Sequence, residues 1–220
     1  MRNETARRRL RARIPLAVLL LIIAIIAIPA IRRSILRAAG WALISNEPVE
    51  RADAIVVTVD ADGAGVLEAA DLVHDGVATR VAVFGETPDT IVEREFNRRG
   101  IAYENEAARS LRQLKSLGID TVDLIPTYVS GTEDEGPVLA KWCDQHGYRS
   151  VVVVSTADHS RRLRRLLHRS MKGHQTRVTA HSARYSEFDP DRWWQSRRGI
   201  RTEVAELQKL LLDVVRHPIN

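Results

Sequence analysis

Ala54-Ile55-Val56-Val57-Thr58-Val59-Asp60-Ala61-Asp62-Gly63-Ala64-Gly65 changes character half-way along. Residues 54–59 are a short β-branched run, which reads as a buried strand. Two carboxylates and two glycines follow. Then Val66, Ala69, Ala70 and Val73 recur at helical spacing as far as Gly76. Strand, polar turn, helix is the building unit of a parallel sheet covered by helices.

The unit recurs downstream. Further strands are expected over 80–84, 121–125, 150–154 and 176–179. Helices are expected over 90–99, 104–117, a segment ending at Gly147, 159–171 and 201–215. The last helix should turn Val204, Leu207, Leu211 and Val215 inward. Pro137 argues that the helix before Gly147 starts near Asp134 rather than at Thr132. The expected fold class is α/β: a three-layer domain around a mainly parallel five-stranded sheet.

Upstream, residues 14–31 carry no polar side chain. About 18 residues at 1.5 Å each just cross ~30 Å of hydrocarbon, so one transmembrane helix is expected before the domain. A cleaved signal peptide fits less well, because its apolar run is shorter and ends in a small-x-small site. Six arginines precede the run and three follow it. That bias places the N-terminus in the cytoplasm and the domain on the periplasmic or extracytoplasmic side of the plasma (inner) membrane. The organisation read from the sequence is a basic tail over 1–13, a span over 14–31, a connector over 32–51 and the α/β domain over 52–220. Trp41 in the connector suits a membrane interface.

The net charge of +5 belongs to this N-terminal part. Residues 1–40 hold nine arginines and one acid, Glu4, which leaves −3 for the remainder. A nucleic-acid binder carries its positive charge on the folded part, so no nucleic-acid partner is expected. The single cysteine, Cys143, forms no intramolecular disulfide and sits in a helical pattern that buries it.

In parallel α/β sheets, ligands bind beyond the carboxyl ends of the strands. Three polar clusters fall there. Asp60, Asp62 and Gly63 follow the first strand; the carboxylates suit Mg²⁺ or Ca²⁺ and the glycine suits a phosphate, or the group is an acidic turn opening a helix. Ser130, Thr132 and Glu135 follow the third strand and read either as ligand contacts or as a capping box. Ser155, Thr156, His159, Arg161 and Arg162 follow the fourth. Hydroxyls, an imidazole and two guanidiniums at a helix start make an anion site, or else a capped helix with a basic face. The other histidines show no metal-ligand spacing.

These residues resemble the YdcF/SanA/ElyC-like family of bacterial envelope proteins. The likeness spans roughly 43–214 and rests on Ser130-Gly-Thr132-x-x-Glu135, on Val153-Val-Ser-Thr-x-x-His159-Ser-Arg-Arg162, on Trp193-Trp194-x-x-Arg197-x-Gly199 and on Glu206-x-x-Lys209. The chain departs from the family at Asp60-Ala-Asp62, where a glycine pair is usual, at Val66, where an arginine is usual, and at Gly136-Pro137. The resemblance implies a Rossmann-like fold and a cell-envelope role; it supplies no reaction and no cofactor. The expected function is the handling of a phosphorylated or nucleotide-like compound, which includes a lipid-linked intermediate. His159 and Glu135 would be catalytic, with Asp60, Asp62, Gly63, Ser130, Thr132, Ser155, Thr156, Arg161 and Arg162 binding the ligand. The alternative is a non-catalytic envelope factor that binds a ligand or a partner protein.

Overall fold

A computed structural model describes residues 27–86, 90–129 and 131–218. Five strands form one sheet in which every pairing is parallel: β1 (Ala54–Val57), β2 (Val81–Glu86), β3 (Val122–Val129), β4 (Ser150–Ser155) and β5 (Arg177–Ser182). Their order is β3-β2-β1-β4-β5. The chain first builds leftward from β1 and then crosses back to place β4 on its other side. The order therefore reverses between β1 and β4, and the loops after these two strands part to leave a crevice.

Among the described residues seven α-helices accompany the sheet: α1 (Pro29–Ala42), α2 (Asp62–His74), α3 (Ile91–Arg98), α4 (Glu106–Ser116), α5 (Thr132–His146), α6 (Ser160–Ser170) and α7 (Arg197–Arg216). Alternate residues of each strand feed opposite faces. Val56, Ala82, Val151 and Val153 pack with Leu139 and Trp142 of α5 and Leu163 and Leu167 of α6. Ile55, Val57, Val81, Val83 and Val152 pack with Val66 and Ala69 of α2 and Leu114 of α4. This is the expected three-layer arrangement. Cys143 is buried in the first of these layers, and burial pushes its thiol up to about 12.

Four details depart from the sequence reading. Strand β3 runs through Pro126 to Val129 instead of stopping at Ile125. It is an edge strand, and Pro126 falls in the irregularity between the pairings of Ile125 and Tyr128, where a proline is tolerated. The register jumps there: Phe84 pairs with Ile125, but Gly85 pairs with Tyr128. Helix α5 starts at Thr132 and contains Pro137, so it forgoes one backbone hydrogen bond.

The third departure turns outward three of the four α7 residues expected to face inward. Its buried residues are Glu203, Glu206, Leu210 and Asp213, while Val204, Leu211 and Val215 face outward. The reason is the neighbouring helix. Arg165 Nε donates to Asp213 Oδ2 at 2.5 Å, Arg169 Nη2 to Asp213 Oδ1 at 2.6 Å and Arg162 Nε to Glu206 Oε2 at 3.2 Å. The arginine stripe of α6 selects the acidic stripe of α7; Val204, Leu211 and Val215 take the other side, while Leu207 packs inward beside Leu210 as expected.

The fourth is the expected membrane span. Among the described residues no helix is long and apolar enough to cross a membrane. Helix α1 begins within the expected span, carries Arg32, Arg33 and Arg37, and lies against the domain. Trp193 Nε1 donates to the Leu36 carbonyl at 2.8 Å, and Gly40 sits so close to Pro190 and Trp193 that a side chain would not fit. Trp41, expected at a lipid interface, donates its indole N–H to Asp191 at 3.0 Å. The corrected fold class is an α/β domain preceded by a polar helix packed on it. Residues 1–26, with the basic tail and most of the expected span, lie outside the described residues. The connector is fastened as well: Leu43 packs with Phe188 and Leu210, and Glu47 accepts from Ala180 N at 2.9 Å and Arg164 Nε at 2.8 Å.

Candidate functional site

The crevice is built from the segments that follow β1, β3 and β4. After β1 the backbone makes a single 3-10 turn, Val59–Ala61, before α2. Asp62 takes up the change of direction with φ +46°, in the left-handed region that side chains avoid. The next constraint is Gly65. A methyl group there would meet the side chains of Ala61 and Val57, so the glycine lets α2 start directly against β1. Gly63, by contrast, has open space where a side chain would go.

Glu135 reaches this turn from α5. Its Oε1 accepts from Val59 N at 2.7 Å, and the carboxyl is only 1 % exposed. A capping box would have turned Glu135 back toward its own helix start; instead it joins α5 to the loop after β1. Burial raises its pKa to about 7, with the neighbouring Asp60 charge adding to the rise and Arg162 and the Val59 N–H opposing it. Oε2 has no hydrogen-bond partner.

Thr132 joins the same two segments to α6. Its hydroxyl lies 3.4 Å from Asp60 Oδ2 and 3.4 Å from Arg162 Nη2. Arg162 is 11 % exposed and also donates to Glu206, whose other oxygen takes Lys209 Nζ at 2.6 Å. These contacts use two of the five N–H groups of the guanidinium.

His159 ends a second 3-10 turn, Ala157–His159, between β4 and α6. The ring is 4 % exposed. Thr156 Oγ1 lies 3.0 Å from Nδ1, and Nε2 is buried without a partner. Burial holds its pKa below the ordinary histidine value; Arg162 pushes the same way, against the Asp158, Asp60 and Glu206 charges. The site therefore holds a neutral imidazole and a carboxyl that titrates near neutrality, each with one buried polar atom unused. Such atoms are costly unless something completes them.

Two cavities open from this cluster, and Asp60 lines both. One, of about 420 Å³, lies between the start of α2, Thr156 and Asp158, and the 185–193 loop. The other, of about 550 Å³, lies between Thr132, Arg162, Lys209 and the end of α7.

The structure thus brings together Asp60, Thr132, Glu135, Thr156, His159 and Arg162, with Asp62 and Gly63 on the wall of the smaller cavity. It separates two others. Arg161 is spent on the connector, its Nη2 donating to the Ile44 carbonyl at 2.6 Å and to the Trp41 carbonyl at 3.3 Å. Ser155 is fully buried and donates to the Thr156 carbonyl. Ser130 lies outside the described residues. No three His, Cys, Asp or Glu side chains converge as a metal site among the described residues. The sequence reading passed over Thr58, whose buried hydroxyl is unpartnered, and Glu203, which is fully buried with neither oxygen bonded. Burial raises the Glu203 carboxyl to about 7. Its signal was its place one turn before Glu206 on the acidic stripe of α7.

No family model and no curated protein matches the chain. Among solved structures it is similar to a mycobacterial protein complexed with NADPH, at 17 % identity and a TM-score of 0.31. It is also similar to a mycobacterial quinone oxidoreductase, at 14 % identity and a TM-score of 0.31. Each alignment covers 84 % of this chain and 52 % of the other, so the chain spans about half the length of these structures. The reductase domain of an aureusimine biosynthetic cluster aligns at 9 % identity and a TM-score of 0.25, covering 56 % of this chain and 40 % of that one.

Proposed function

We propose that this protein handles a phosphorylated or nucleotide-like compound in the crevice beyond β1 and β4, and that its relatives are the YdcF/SanA/ElyC-like proteins it resembles. The observation that carries the reading is the pair of buried, half-satisfied groups, His159 Nε2 and Glu135 Oε2, beside Arg162 at the reversal of strand order. A neutral imidazole accepts a proton, and a carboxyl with a pKa of about 7 gives or takes one at working pH. Arg162 supplies donors to phosphoryl oxygens, and the starts of α2, α5 and α6 turn their positive ends to the same edge of the sheet.

The second reading is a binding factor without turnover. The pairing of Arg162 with Glu206 favours it, because a ligand must then share a guanidinium that is already engaged. Thermal denaturation of the full chain with inorganic phosphate, sugar phosphates and nucleoside monophosphates, each followed for turnover, separates the two. Arg162→Lys keeps the charge but loses the planar fork; it should weaken phosphate-dependent stabilisation ten- to a hundredfold, ~1.5–3 kcal/mol. His159→Ala should abolish turnover and leave binding. If both variants bind like the parent, the crevice is structural.

A further inference from the structure

We infer that the smaller cavity is a sugar subsite, so that the ligand is a glycosyl phosphate whose phosphate lies toward Arg162 and whose ring lies beyond Asp60. The inference rests on the phosphate-handling reading and names the substrate class for it. Its wall combines two kinds of group. Tyr185, Phe188 and Trp193 give it aromatic surface, and Asp62 and Asp158 give it carboxylates. Among the described residues neither carboxylate makes a hydrogen bond or an ion pair. Ionised carboxylates only accept hydrogen bonds, so they call for a ligand rich in O–H donors. Aromatic faces call for C–H surface. A pyranose ring offers both at once. Arg192 and Arg198 stand on the same wall and oppose a bare cation.

The cavity is fixed rather than plastic. The Trp193 indole is held by its bond to the Leu36 carbonyl and meets Trp194 edge-on, with centroids 5.9 Å apart. The Ser186 hydroxyl accepts from Ala157 N at 3.1 Å, which ties the cavity loop to the turn that carries His159. Thr156 lines the cavity and also meets His159 Nδ1, so the ring of the ligand and the imidazole share one threonine. The volume of about 420 Å³ suits a single ring with its hydroxyls.

Calorimetric titration of the full chain with inorganic phosphate, glucose, α-glucose-1-phosphate and adenosine monophosphate tests this. The sugar phosphate should bind at least tenfold more tightly than phosphate. The double variant Asp62→Gly, Asp158→Ala should erase that advantage while inorganic phosphate binds at least as well as to the parent, because two negative charges beside the anion are gone; glycine at 62 also suits the left-handed backbone, so folding is spared. Equal affinity for phosphate and sugar phosphate would overturn the subsite and leave the phosphate site standing. Tighter binding of adenosine monophosphate than of the sugar phosphate would overturn it in favour of a nucleoside. Carboxylate-dependent binding of free glucose with no phosphate binding would support the subsite and sink the phosphate reading; no binding of any probe would sink both.

Discussion

Helices α3, α4 and α7 begin differently from α2, α5 and α6. The first three are closed by side chains: Thr90 accepts from Glu93 N, Asn105 from Ala108 N and Ser196 from Gly199 N. The other three follow β1, β3 and β4, begin at the crevice edge and have no side-chain cap, although in α6 the Leu43 carbonyl takes Arg161 N. A cap satisfies first-turn N–H groups and contributes about 1 kcal/mol. Leaving it out at all three crevice helices forgoes that stability where a ligand anion would otherwise compete with the cap. The contrast is confined to the helix starts at the reversal of strand order: the capped start of α7 borders the smaller cavity through Ser196 and Gly199, and α1 is uncapped without facing the crevice.

The costliest group at the crevice is Glu135. Unfolded, this carboxyl ionises near 4.5; folded, it holds its proton to about 7. The stability it contributes is complete below the unfolded value and is lost as pH rises through the folded one. The loss between about pH 5 and about pH 8 is on the order of 3 kcal/mol. His159 works in the opposite sense: its lowered value costs stability as pH falls below the ordinary histidine range. Glu135→Gln should flatten the decline toward alkaline pH in thermal melts, and an unchanged slope would mean that the carboxyl is already ionised.

Close packing stands in for the missing caps, and Gly65 measures it. Gly65→Ala would push a methyl group onto Ala61 and to 2.9 Å from Val57. It should cost about 1–3 kcal/mol by denaturant unfolding, more than any cap. A neutral result would mean that α2 has room to shift. Among the capped helices, Thr90→Ala and Asn105→Ala should each cost about 1 kcal/mol and leave phosphate binding unchanged. The smallest effect sharpens the contrast most. Gly131 precedes α5 in extended backbone open to any residue. Gly131→Ser adds a cap, and it should gain a few tenths of a kcal/mol while weakening ligand binding two- to threefold. Tighter binding would reverse the proposed trade.

The sheet was legible in the sequence because β1 and β4 are β-branched runs and each expected strand overlaps an observed one, although β2, β3 and β5 run past their expected ends. The crevice was partly legible, since strand-then-polar-turn marks its position without showing which side chains meet. Two arginines side by side made the limit plain. Arg162 enters the cluster and Arg161 turns to the connector, because adjacent helical residues point about 100° apart. The face of α7 was misread for a related reason. Its apolar stripe is the stronger periodic signal, but the partner surface on α6 is charged, and periodicity carries no knowledge of the partner. The expected span shows a third limit: an apolar run is a property of composition, and among the described residues its end belongs to α1, a helix held by Asp191 and Trp193.

The reversal of strand order also has a consequence in time. Ile55 pairs with Val152, a partner 97 positions later in the chain. During synthesis β1, β2 and β3 emerge in sequence and can zip together as they appear, but the strand that brings His159 beside Asp60 follows much later. At ordinary elongation rates, the interval is roughly 5–20 s. Through it the nascent chain carries β1 with one edge unpaired, an apolar ribbon that must be kept from other chains until β4 arrives. The same crossing that makes the crevice therefore sets the most exposed moment in the life of the protein.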